Sequence, residues 1–239
     1  MNRIHIGTSG WHYDHWTGRF YPEELKASEH FAYYQRFFKT VELNSPFYHL
    51  PSKETFANWR KATAKDFLFI VKASRYITHN KKLKDPKESL KLLFSHASAL
   101  KEKLGPFLFQ LPPSWKVNHE RFEEFLKALS KKYRYVFEFR NPTWYDEDIY
   151  ALLRKYNCAF CIYELAHHLS PVEVTADFVY VRLHGPGGKY QGNYSEKALR
   201  EWADRCREWK KAKEVFVYFD NDQRAYAAFN ALRLLELVK

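Results

Sequence analysis

The chain has 239 residues, 46% of them hydrophobic, enough for one barrel-sized core or two small ones, and no apolar stretch is long enough to span a bilayer. Three cysteines, Cys158, Cys161 and Cys206, are too few and too odd in number for a disulfide framework. Lys and Arg number 39 against 28 Asp and Glu, a formal charge of +11 that favours anionic partners such as phosphates or nucleic acid.

Strand-like runs come at Ile4 to Gly7, Thr40 to Asn44, Phe67 to Lys72, Phe107 to Gln110, Tyr135 to Arg140, Cys158 to Glu164, Phe178 to His184 and Val215 to Asp220. Amphipathic stretches lie between them, introduced by helix-start signals at Ser28, Ser52, Asp85-Pro86, Asn118, Asp146, Ser195 and Asp222. The link from Leu165 to Asp177 is short and holds Pro171, so the helix between strands six and seven is expected to be short or missing. No Ser/Gly/Pro linker or low-complexity tract interrupts the alternation. Eight strand-helix units in 239 residues predict an α/β fold, a single (β/α)8 TIM-like barrel domain over residues 1–239. The N-terminus runs at once into Arg3-Ile4-His5-Ile6-Gly7, leaving no room for a signal peptide, and the expectation is a soluble cytoplasmic protein. Cys158-Ala-Phe-Cys161 has redox or zinc half-site spacing, but inside a strand i and i+3 face opposite ways, so packing is expected.

Most of the runs end in a polar or charged residue, and residues i and i+2 of a strand share a face. Glu42 therefore points with Asn44, Glu138 with Arg140, Arg182 with His184, and Asp220 with Tyr218. Carried to the C-terminal ends of barrel strands, where barrel chemistry sits, the set holds Glu42, Glu138, Glu164 and Asp220 against Lys72, Arg140 and Arg182, with His5 and His184 able to go either way.

These residues carry a resemblance. Ile6-Gly7-Thr8-Ser9-Gly10-Trp11, Val41-Glu42-Leu43-Asn44 with Phe47-Tyr48, Thr78-His79, Gln110-Leu111-Pro112-Pro113, Glu138-Phe139-Arg140 with Trp144, Tyr180-Val181-Arg182-Leu183-His184-Gly185 and Tyr218-Phe219-Asp220-Asn221-Asp222 together resemble the YecE-like family, domain of unknown function 72, over essentially the whole chain. The resemblance implies a TIM barrel and no settled reaction. It also implies an Asp near the end of the sixth strand, where this chain has Glu164 after Tyr163.

Three functions fit the set. In the first, Glu42, Glu138, Asp220 and His184 hold a divalent cation, Mg²⁺, Mn²⁺ or Zn²⁺, and serve as catalytic groups of a hydrolase or isomerase. In the second, no metal is needed: Glu138 is the base, His184 supplies the opposite proton, and Arg140, Arg182 and Lys72 clamp an anionic substrate. Asn44, Gln110, Trp11, Thr8 and Asn221 complete the expected substrate contacts. The Gly-rich loop Gly185 to Asn193, with Gly187 and Gly188, is a candidate phosphate cradle, or a turn that needs its glycines. The third function is a nucleic-acid-binding module without catalysis, using the basic segment Arg75 to Lys84 and the rim aromatics Trp11, Trp16, Tyr48, Trp115, Trp144 and Tyr190. A merely basic, solvated surface competes with it, because Lys131-Lys132 and Lys210-Lys211-Ala212-Lys213 precede strands, at the end opposite the proposed site.

Overall fold

The structure, a computed structural model, describes residues 3–239. In chain order the elements are β1 (Arg3–Thr8), α1 (His30–Tyr34), β2 (Thr40–Leu43), α2 (Ser45–Tyr48), α3 (Lys53–Lys61), β3 (Leu68–Lys72), α4 (Lys87–Ala97), β4 (Leu104–Leu111), α5 (His119–Ala128), β5 (Tyr135–Phe139), α6 (Glu147–Lys155), β6 (Ala159–Leu165), β7 (Phe178–Leu183), α7 (Glu196–Glu208), β8 (Glu214–Phe219) and α8 (Tyr226–Leu237). This is the α/β architecture of a (β/α)8 TIM-like barrel. Where a helix would join β6 to β7, the chain makes a two-residue strand, His168–Leu169, antiparallel to β6. Pro171 fits that outcome, since it can neither continue a helix nor donate a ladder hydrogen bond.

Helix starts follow local chemistry. Ser52, Asn118, Asp146 and Ser195 each accept a hydrogen bond from a backbone N–H two or three residues on, satisfying a donor the helix leaves open. Three expected signals behave otherwise: Asp85-Pro86 leads into α4 with Pro86 at the N-cap and no side-chain cap. Ser28 lies inside a 3₁₀ turn, Ala27–Glu29, and Asp222 precedes a 3₁₀ turn, Gln223–Ala225, ahead of α8, with its carboxylate 3.3 Å from His15 Nε2.

The chain divides into two compact units, one of residues up to Glu42, Ile162–Val172 and Asp177–Lys239, the other of Leu43–Cys161 and Glu173–Ala176. In the first, β1, β8 and β7 pair in parallel, with Thr8 and Leu183 both level with Phe219, so the three strands end together. Gly7 is required there, because a Cβ would lie 2.5 Å from the Thr40 carbonyl. In the second, β3, β4 and β5 pair in parallel and β5 continues to the Ala159–Phe160 half of β6. Its interior is aromatic: Phe69, Phe107, Phe109 and Phe137 are fully buried, each contributing roughly 1.5–3 kcal/mol of hydrophobic stabilisation. All three cysteines are free and buried, and burial pushes the Cys158 thiol up to about 12, so the CxxC spacing reports packing. Among the described residues no helix is long and apolar enough to cross a membrane.

Candidate functional site

In the first unit, four ionisable side chains from three strand ends converge. Glu42 comes from β2, Arg182 and His184 from the end of β7, and Asp220 from just past β8. Glu42, Arg182 and His184 have no exposed surface, and Asp220 keeps 9%. Arg182 Nη2 donates to Glu42 Oε1 at 2.6 Å and to Asp220 Oδ2 at 3.1 Å, while its Nε donates to Glu42 Oε2 at 3.0 Å. Glu42 also accepts the Ser9 hydroxyl at 2.6 Å and the Tyr180 hydroxyl at 2.5 Å. Burial, then the charge on Glu42, raises the Tyr180 phenol well above its ordinary range, so it stays a donor.

Hydrogen-bond inventory orients His184. Its Nδ1 lies 2.9 Å from Asp220 Oδ2, and its Nε2 lies 3.4 Å from Arg182 Nη1. A guanidinium only donates, so Nε2 turns its lone pair to Arg182 and Nδ1 carries the proton toward Asp220. The Tyr163 and Tyr190 rings stand edge-on to the imidazole at 6.1 and 5.5 Å. Tyr13 closes over this group from the loop after β1, its hydroxyl donating to the Ser9 carbonyl, and burial followed by Asp220, Asp222 and Glu42 raises its pKa strongly. Asp222 is raised too, by burial first and by Asp220 second.

The second unit has its own polar strand ends. Arg140 Nε donates to Glu138 Oε1, and the Cys161 thiol donates weakly to Glu138 Oε2 at 3.8 Å. Gln110 is level with Glu138 on the neighbouring strand. Lys72 Nζ sits 4.4 Å from the centroid of the Phe47 ring, a cation–π contact, and Asn44 immediately precedes α2. The basic segment after β3 forms a π-helical turn, Tyr76–Asn80, with Lys81 Nζ 5.6 Å from the Tyr76 ring.

Several expected site residues have other duties. Glu164 faces the helix layer: its carboxylate accepts the Trp202 indole N–H at 3.2 Å from α7, and burial raises its pKa. The β6 residue that reaches His184 is its neighbour Tyr163, one step out of phase. His5 pairs with Glu214 at 3.0 Å at the start of β8, away from the strand C-termini. Thr8 donates to the Gly10 carbonyl at 2.6 Å and lies 3.0 Å from the Tyr34 hydroxyl, and Trp11 packs on Phe31 at 4.4 Å. The amide of Gly187 donates to the Gln191 carbonyl at 3.3 Å and Gly188 accepts from Gln191 at 3.1 Å, so the loop closes on itself. Asn221 Nδ2 ties that loop down through the Gly192 carbonyl at 2.8 Å and Asn230 at 2.9 Å. Tyr180 and Tyr13 join this group from outside the set expected from the sequence; Tyr180 is legible there, two residues before Arg182 on the same face.

For the expected cation, the donor set matters. Both oxygens of Glu42 already receive hydrogen bonds, and the Arg182 guanidinium bridges Glu42 and Asp220, the position a shared cation would take. Glu138 belongs to the other unit. Among the described residues the three acidic or imidazole side chains whose ligand atoms lie within 4.8 Å of one another are His119, Asp146 and Asp148, an exposed to half-exposed group.

A model of a family described as a protein of unknown function, DUF72, matches residues 5–239. The UPF0759 protein YunF of Bacillus subtilis is 27% identical over 98% of this chain and 94% of its own length. Among solved structures, a DUF72 family protein from Thermotoga maritima superposes with a TM-score of 0.88 and 32% identity over 99% of each chain. Another, from Enterococcus faecalis, gives 0.81 at 21% identity, over 98% of this chain and 95% of that one. On the family match over nearly its entire length, this chain belongs to the DUF72 family.

Proposed function

We propose that the protein is an acid–base enzyme acting on a small anionic, phosphorylated substrate at the Glu42–Arg182–His184–Asp220 cluster. The observation that carries the reading is the burial of these four ionisable groups in one hydrogen-bonded set. As a stabilising device such a set is poor, since apolar residues of similar volume in place of a buried ion network are commonly neutral or stabilising by about 1–4 kcal/mol. Charged groups held at that cost at strand ends fit chemistry better than packing.

The chemistry follows from the contacts. A phosphate drawing the Arg182 Nη1 proton toward itself takes it from His184 Nε2, which frees that lone pair as a general base. Asp220 keeps Nδ1–H in place and stabilises the imidazolium formed. Glu42, saturated by Ser9, Tyr180 and Arg182, orients the guanidinium and takes no proton. The neutral Tyr13 hydroxyl is the nearby donor for a leaving group. The test is turnover of phosphomonoester and phosphodiester panels by the wild type, His184→Gln and Asp220→Asn. The reading predicts loss of at least about 100-fold in the variants with the fold retained; turnover that survives both substitutions overturns it.

A further inference from the structure

His30, the first residue of α1, is 2% exposed, yet neither of its ring nitrogens has a hydrogen-bond partner among the described residues. A neutral imidazole carries one donor and one acceptor, and leaving both unmet under cover is unfavourable. One face of the ring is stacked on Tyr21 at 3.9 Å with planes 8° apart, which fixes its orientation. The His12 ring lies 5.8 Å away, tilted by 50°. Two imidazoles bound to one ion through nitrogens at about 2.0–2.1 Å place their ring centres roughly 5–6 Å apart. Asp14, two residues beyond His12, acts electrostatically on His30, and both His12 and Asp14 are exposed and able to turn toward it.

We infer that His12, Asp14 and His30 form a binding site for a transition-metal dication of the zinc type. Two imidazoles and a carboxylate are the donors such an ion prefers over Mg²⁺ or Ca²⁺, with water filling the remaining position. The Leu25 carbonyl is near enough to act on the ring without closing a hydrogen bond to either nitrogen, and a backbone carbonyl is the kind of group a ligating histidine uses for its second nitrogen.

The site's place gives the ion a purpose. His12, Asp14 and His30 bracket the strap between β1 and α1, which is otherwise fastened by the Tyr21 hydroxyl on the Trp11 carbonyl and by the Trp16 indole N–H on the Asp222 carbonyl at 3.3 Å. Tyr13 rides on that strap. A metal there staples the strap shut beside Ser9 and Asp222, and its removal loosens it.

The experiment uses the full, tag-free chain stripped with chelator. Zn²⁺ is titrated by calorimetry and Co²⁺ by its visible absorption, in the wild type, His12→Ala, Asp14→Asn and His30→Phe, the last keeping a ring on Tyr21. His119→Ala is the control for the His119–Asp146–Asp148 group. Expected is one equivalent of ion, bound at least tenfold more weakly by each of the three strap variants and unchanged in the control. Absence of stoichiometric binding, wild-type affinity in any strap variant, or loss of binding in His119→Ala overturns the assignment.

Discussion

Arg182→Met removes a cation that donates to Glu42 at 2.6 and 3.0 Å and to Asp220 at 3.1 Å, and leaves both carboxylates buried without it. Breaking a buried pair by deleting one partner costs about 3–5 kcal/mol, a large part of the roughly 5–15 kcal/mol that holds a domain together. Glu42→Gln leaves Arg182 with Asp220 as its remaining carboxylate and keeps one acceptor oxygen for either Ser9 or Tyr180, which donate to different oxygens of Glu42. The double variant has neither charge, so its cost falls below the sum of the single costs by about 2 kcal/mol. Urea unfolding at pH 7, followed in parallel by circular dichroism and tryptophan fluorescence, measures all four corners of the cycle. Single costs below about 1 kcal/mol, or costs that add within about 0.5 kcal/mol, refute the reasoning that these charges depend on each other.

Glu164→Gln tests the outward placement of that residue. Its folded pKa is raised by burial, so the native state holds the proton more tightly than the unfolded chain, and the ionised form costs stability at pH 7. That cost fades as pH falls through the raised pKa and is gone below the unfolded value. The glutamine, still an acceptor for Trp202, is therefore expected to melt higher than wild type at pH 7 and level with it near pH 4; a variant less stable at pH 7 contradicts the placement. Gly185→Ala should destabilise by about 2 kcal/mol or more, because φ is +113° and the added Cβ overlaps the Gln191 carbonyl; a thermal melt within a degree of wild type contradicts it.

How far the sequence reaches is visible residue by residue. Alternation finds Glu42, Arg182, His184 and Asp220 because strand geometry fixes which residues share a face, and the N-caps Ser52, Asn118, Asp146 and Ser195 are legible because a cap is a contact over three residues. Glu164 misleads because the last polar residue of a run is not bound to the inward phase; Tyr163 holds that phase on β6. His5 misleads for another reason: alternation reads the face and not the height along the strand, and His5 sits level with Phe216, low on β8. The carboxylates invite a cation in the sequence, and in the structure the Arg182 guanidinium donates to oxygens of Glu42 and Asp220, which alternation alone does not show. Tyr180 and Tyr13 look like core aromatics until their hydroxyls are placed.

An anion that meets Arg182 releases His184. Calorimetric titration with inorganic phosphate and a sugar phosphate, repeated in buffers of different ionisation enthalpy, reads affinity and proton uptake together. The wild type is expected to show saturable binding with uptake of protons, and a folded His184→Gln variant binding with that uptake abolished. Binding with equal proton uptake in both proteins, or no binding to the wild type, would contradict it.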